Sequence, residues 1–237
     1  MLRAIKTVAK KMFHFCGLDV SLAKPFDKYE WLRGKDIKTV IDVGANTGQF
    51  AKYIHKLLPD ARIYSFEPLK NCYDQLHKNM KAIPNFRAFQ FALGNENEQR
   101  TMYRNDFSPS SSLLQMEELH KEVFPQTEHT TLEKIEIRRL DDISKELDIV
   151  DNLLVKIDVQ GFEDKVILGG ERVISMASVL IVETSFQSLY RRQHLFDMIY
   201  AMLRERGFKY MGGEEPLRNP LDGSILACDS VFCREKP

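Results

Sequence analysis

Four acidic residues, Asp42, Glu67, Asp158 and Glu183, each lie at the end of an apolar run of strand character. A carboxylate so placed projects into the crevice beyond the carboxyl edge of a parallel sheet, where α/β proteins take their ligands. The first run, Thr39–Val43, carries Asp42 and passes into Gly44-Ala45-Asn46-Thr47-Gly48 and then a helix. Gly44 lets the turn's backbone pass close to a ligand, and the helix start offers unpaired amides and a positive dipole end, suited to a carboxylate. A dinucleotide site wants Gly-x-Gly-x-x-Gly, but Asn46 and Gln49 stand at its second and third places. The turn therefore suits a ligand without a pyrophosphate, S-adenosylmethionine (SAM), with Asp42 near its amino group through a charge-assisted bond. The alternative for Asp42 is a helix cap or a turn-stabilising residue.

Glu67 ends the second run 25 residues after Asp42. An acceptor-only group with two oxygens can hold both hydroxyls of a ribose, and Pro68 after it restricts Glu67 to extended backbone. At the end of a third run, Ala92 and Leu93 are placed to flank an adenine ring. The fourth run ends Lys156-Ile157-Asp158-Val159-Gln160-Gly161. Lysine and aspartate so close to a buried strand end are costly unless paired or used. Asp158 is the first choice for a proton-accepting or acceptor-orienting group, Glu183 on the neighbouring strand the second, and His194 the third. Capping of a following helix is the structural alternative for the two acids, and a solvent-exposed helix position the alternative for His194.

These residues need a sheet to bring them together. After a helical lead-in over residues 1–36, apolar runs and helical periods alternate, which predicts a three-layer α/β domain over 37–237. Strands are expected at 39–43, 62–66, 86–91, 153–158 and 179–183, and helices at 47–58, 71–81, 163–169 and 192–206. Gly207 ends the last of these helices. Between the third and fourth strands lie short strands at 100–104 and 134–138, a polar loop at 108–112, a weakly helical stretch over 113–130 that could cover the site, and a short helix at 140–143. Residues 208–211 and 230–234 close the pattern as an antiparallel pair around the turn at 219–223.

Bulk properties narrow the function. With 34 basic and 34 acidic residues the net charge is zero, which disfavours nucleic acid as a partner. The four cysteines have neither a Cys-x-x-Cys pair nor zinc spacing, as expected of reduced thiols in the cytoplasm, and no metal site is expected. No run reaches the roughly 18–20 apolar residues of a membrane span. The basic N-terminal segment, with Leu2, Ile5, Val8, Met12 and Phe15 at helical spacing, reads as an amphipathic helix. It would dock either on the protein's own body or on a membrane surface.

Taken in order, Asp42-Val-Gly-Ala-Asn-Thr-Gly-Gln-Phe50, Phe66-Glu-Pro68, Ala92-Leu-Gly94, the Ser110-Ser-Ser-Leu113 loop, Leu140-Asp-Asp142, Lys156-Ile-Asp-Val-Gln-Gly-Phe-Glu163 and Val182-Glu-Thr184 resemble the FkbM family of SAM-dependent methyltransferases. The resemblance spans about residues 37–235. It implies a class I methyltransferase (Rossmann-like) fold, a seven-stranded, mostly parallel sheet with an antiparallel last strand, and O-methylation of a hydroxyl on a sugar, a glycan or a polyketide-like molecule. It also implies cofactor contacts from Asp42, Gly44, Ala45, Asn46, Gly48, Glu67, Pro68, Ala92 and Leu93, with Ser111, Ser112 and Asp158 at the boundary between cofactor and acceptor. Gln160 stands where the family commonly has glutamate, which removes a charge from the rim of the site. Two rivals are a nicotinamide oxidoreductase, disfavoured by the missing glycines, and a SAM-binding scaffold or sensor without catalysis.

Overall fold

The computed structural model describes residues 28–105, 108–127 and 129–234. Leu32–Pro237 forms one compact unit. Most of the expected lead-in helix, including the amphipathic segment, lies outside the described residues; its end is a 3-10 helical turn at Glu30–Lys35.

Among the described residues, ten strands form two sheets. The main sheet has the order β3-β2-β1-β7-β8-β10-β9. Its members are β1 (Thr39–Val43), β2 (Arg62–Phe66), β3 (Phe86–Phe89), β7 (Leu153–Ile157), β8 (Ala177–Ser185), β9 (Phe208–Arg218) and β10 (Ile225–Arg234). The first five of these strands run parallel to one another, and β10 runs antiparallel between β8 and β9. The expected antiparallel last strand is thus present, inserted inside the sheet and not at its edge. Beside β1 the order turns from β2 to β7, and such a switch point opens a ligand crevice beyond the strand ends.

The second sheet, β4-β6-β5, joins β4 (Ala92–Leu93), β5 (Glu98–Asn105) and β6 (Thr130–Arg138). It corrects one expectation: Ala92 and Leu93 do not end the third strand. A bend after Phe89 carries the chain away, and the pair bonds in parallel to Ile137 and Arg138 of β6. Apolar residues resume across that bend after the single polar Gln90, so hydrophobicity alone could not divide the run.

Seven helices connect these strands: α1 (Gln49–Leu57), α2 (Lys70–Met80), α3 (Glu118–Val123), α4 (Leu140–Ile143), α5 (Glu163–Gly169), α6 (Glu171–Met176) and α7 (Phe196–Glu205). Alternation along the central strands sorts their side chains to two faces. Ile41, Val43, Val155, Ile157, Leu180 and Val182 pack in the main core with Val166 and Ile167 of α5, Val173 and Ile174 of α6, and Ile199 and Leu203 of α7. Asp42 and Lys156 alternate out of that core, and Lys156 lies toward α1, with its ammonium 5.5 Å from the Phe50 ring. Among the described residues of 113–129, expected to be weakly helical, the helical elements are the short helix α3 and a 3-10 turn at Pro125–Thr127.

Close backbone contact locks the second sheet to α5. A β-carbon on Gly169 would stand 1.7 Å from the Gly94 carbonyl oxygen. Backbone on both sides leaves no side chain free to yield. Gly169→Ala is therefore expected to cost about 1–3 kcal/mol of stability, read as a lowered denaturation midpoint with an unchanged slope; an unchanged midpoint would show that this contact does not hold the sheets.

Candidate functional site

Asp42 is fully buried on β1, with Ser65 of β2 and Lys156 of β7 as its cross-strand neighbours. Its Oδ2 accepts a 3.2 Å bond from the Ser65 hydroxyl. Its Oδ1 is also buried and has no hydrogen-bond partner. Burial pushes its pKa up to about 6, against the pull of Lys156 and the Ser65 bond. An acid left with one empty buried acceptor is arranged for a donor that arrives with a ligand. It caps no helix: α1 starts at Gln49, after Gly48 in the left-handed conformation, and no side chain caps it.

Gly44 is required for a further reason. A β-carbon there would fall 1.8 Å from the Asp158 carbonyl oxygen, and its φ is 81°. The turn after β1 therefore lies directly against the end of β7. The amides of Gly44 and Ala45 both donate to the Phe66 carbonyl, and Asn46 is left-handed with φ 48°. The Asn46 amide donates to Glu67 Oε2 at 2.9 Å, and the Leu69 amide to Glu67 Oε1 at 2.9 Å. Glu67 thus clips the turn after β1 to the segment through Pro68 that leads into α2. Each oxygen keeps a second lone pair for a ribose hydroxyl. Burial raises the Glu67 pKa to about 7, beyond what these two amides offset.

Beyond the switch point lies a second cluster. Lys156 Nζ is 2.8 Å from Asp158 Oδ2. The Gln160 amide nitrogen donates both to Asp158 Oδ1, at 2.9 Å, and to Glu183 Oε2, at 2.6 Å. Its carbonyl accepts from the Tyr190 hydroxyl at 2.8 Å. Burial opposes the charge on Lys156, but Asp158, Asp42 and Asp229 together hold it firmly protonated. Burial also works against ionisation of Asp158, yet Lys156 and the donated hydrogen bonds keep its carboxyl below the usual value. Glu183 moves the other way: burial, then the charges of Asp158 and Glu163, push it well above the ordinary glutamate value. Neither acid caps a helix. The cap residue of α5 is Phe162, without a side-chain bond, and Glu183 lies within β8.

Glu163 Oε1 accepts the amides of Val159 and Gly161 at 3.1 and 3.0 Å, bracing the loop on either side of Gln160. Ser112 Oγ donates to the Gln160 carbonyl at 2.6 Å and accepts from the Leu114 amide, while Ser111 Oγ accepts from the Asn105 amide. The two serines thus tie residues 111–114 to the site. Leu93 packs in the main core, and Ala92 in a smaller cluster with Leu69, Ile137 and Phe162. His194 precedes α7 instead of lying in it. Its buried Nδ1 makes no hydrogen bond and lies 3.3 Å from Oδ2 of Asp164 on α5, which places His194 beside α5.

Sequence reading missed Ser65 and Tyr190. Ser65 is a small polar residue between two aromatics and matters only through its register with Asp42. Tyr190 sits in an irregular loop, where no periodicity marks it. Gln160 stood out only as a substitution.

An unpartnered Asp42 oxygen, an uncapped helix start and a two-oxygen acceptor at the end of β2 together fit the amino, carboxylate and ribose groups of SAM. Asp42 and Glu67 hold protons up to about pH 6 and 7 in the ligand-free protein. An ammonium and a diol both favour the ionised acids, so binding releases protons and SAM affinity is expected to rise with pH up to about 7, then level. Calorimetry in buffers of different ionisation heat reads this directly. Glu67→Ala is expected to weaken binding at least ~10-fold and to flatten the upper part of the profile; wild-type affinity would remove Glu67 from the ribose site.

The family model described as the methyltransferase FkbM domain matches residues 42–210. The 2-O-methyltransferase NoeI of Sinorhizobium fredii is 28% identical over 165 residues, covering 65% of this chain and 66% of NoeI. The methyltransferase sdnD of Sordaria araneosa is 29% identical over 195 residues, covering 71% of this chain and 73% of its own. In fold, the crystal structure of the 1,6-didemethyltoxoflavin-N1-methyltransferase of Burkholderia thailandensis superposes with a TM-score of 0.50 at 10% identity, over 99% of this chain and 88% of that one. With the family's domain matched from Asp42 at the first strand to Tyr210 at the ninth, and with a site that fits the cofactor, the chain belongs to the FkbM family of SAM-dependent methyltransferases.

Proposed function

We propose that the protein methylates an alcohol hydroxyl of a sugar, a glycan or a polyketide-like molecule. The observation that carries this reading is the pair of acids bridged by Gln160, whose ionisation is pushed in opposite directions. Such a split is what acid–base work on a weakly acidic hydroxyl needs. The name of NoeI, a 2-O-methyltransferase, supports the same class of acceptor.

When bound, SAM supplies a methyl group on a positively charged sulfur that an oxygen nucleophile can accept. The chain's own residues do the rest. Asp158, kept ionised by Lys156, orients the acceptor hydroxyl by taking a hydrogen bond from it. Glu183, ionised above its raised pKa, is a stronger base than an ordinary carboxylate and receives the hydroxyl proton on a carboxylate oxygen. Holding the hydroxyl in line is worth about 7–11 kcal/mol and proton removal about 3–5 kcal/mol, so alignment is the larger contribution. The segment around Ser111 and Ser112 limits access of water.

A base must be deprotonated to act. Transfer is therefore expected to rise with pH along one acidic limb that lies above the ordinary glutamate value, and Glu183→Gln should abolish that limb. Asp158→Asn is expected to keep SAM binding and lose about 100-fold or more in turnover. The assay follows labelled methyl from SAM to a panel of sugars and glycolipids. Label that reaches no hydroxyl, with SAM binding intact, would leave the scaffold reading standing.

A further inference from the structure

Gln160 is constrained in both backbone and side chain. Its φ is 56°, a region that residues other than glycine, asparagine and aspartate seldom enter. Such a conformation persists only where the surroundings over-determine it, and it clusters at functional sites. Here Ser112 holds the Gln160 carbonyl, and Glu163 holds the amides of the residues on both sides. At the tip of the side chain both amide hydrogens are used, one on each acid, and the carbonyl is occupied by a phenol. That phenol belongs to Tyr190, which is 1% exposed; its ring lies 5.1 Å from the His120 ring and its backbone is bridged to Met116.

We propose that Gln160 is the positioning residue that eases the ionisation of Glu183 beside the charged Asp158, with Tyr190 anchoring its amide carbonyl. An amide nitrogen with two hydrogens can donate to both carboxylates at once and stabilises the charged form of each. Without it, two acids this close would share one proton to still higher pH. A glutamate at this position would add a third negative group where the amide now donates. The amide can do this in one orientation only. The two carboxylates, which only accept, select that orientation, and the Tyr190 hydroxyl anchors it by donating to Gln160 Oε1. Glu183 is surrounded by Asp158 and Lys156 from the end of β7, Glu163 from α5, Asp229 from β10 and Tyr190 from the loop after β8. Lys156 is the one cation in this set, so the neutral donor at Gln160 adds to its effect without adding charge.

The inference rests on Asp158 and Glu183 being the acids on the acceptor side, and two readouts separate it from that reading. The first needs no acceptor: carbon-13 NMR titration of the glutamate carboxyls in the full chain, with the Glu183 signal identified by its absence in Glu183→Gln. Relative to the wild type, Gln160→Met is expected to raise the Glu183 titration by about one pH unit and Gln160→Glu by more. Tyr190→Phe, which keeps the ring packing, should give a smaller change in the same direction. The second readout is the acidic limb of methyl transfer, which should move in the same order while SAM affinity stays within about two-fold. If Glu183 titrates alike in all four proteins, the inference fails, whatever the transfer assay shows. If the carboxyl titrations move in order and the transfer limb stays still, Gln160 keeps its role and Glu183 is not the base. Loss of transfer in Gln160→Met without movement of either titration would reduce Gln160 to a structural residue and overturn the proposal.

Discussion

An ammonium group removed from water is costly unless carboxylates around it offset the loss, and Lys156 is such a group, 7% exposed in the middle of the sheet. Asp158 lies 2.8 Å from it, and Asp42 on β1 and Asp229 on β10 act on it from either side. The charge of Lys156 in turn decides what these acids do. It keeps Asp158 ionised, eases the ionisation of the buried Asp42, and only partly counters the burial and like charges that keep Glu183 protonated to higher pH. Asp42 on one side of the switch point and Asp158 and Glu183 on the other are thus coupled through one buried cation.

Around this centre, loops from distant parts of the chain are pinned by hydrogen bonds as well as by apolar packing. Glu67 holds the turn after β1 through the Asn46 amide, Glu163 holds the loop after β7, and Ser112 ties in the segment after β5. The turn after β1 also lies so close to the Asp158 carbonyl that only glycine fits at position 44. Movement of one loop must therefore be felt by its neighbours. The loop carrying Tyr190 completes the ring: Glu117 donates to the Leu189 carbonyl and Arg191 to the Gln115 carbonyl, so this loop and the segment around α3 are paired strand-like over the site.

Much of this was legible in the chain. The limits of β1 and β2 follow from short apolar runs bounded by turn residues and agree with the structure residue for residue. Helix α4 starts at Leu140 and α5 spans Glu163–Gly169, as expected. Strands β8, β9 and β10 outrun their apolar patterns, because pairing continues wherever a neighbouring backbone offers bonds. The bend after Phe89 and the short helix α6 went unread for related reasons: at one, apolar residues resume after the single polar Gln90, and the other follows α5 with only Gly170 between them.

By itself the sequence determined which acids end which strands, and hence a site for a nucleotide-like ligand without a pyrophosphate. Strand ends and turns are local, and local preferences suffice to place Asp42, Glu67 and Asp158. Only the tertiary structure decided what those acids meet. It set Ser65 and Lys156 beside Asp42, assigned His194 to Asp164, carried Ala92 and Leu93 into a second sheet, and brought Gln160 and Tyr190 to one amide between two carboxylates. Those partners are up to more than a hundred residues apart, and cross-strand register, which no local pattern encodes, is what joins them.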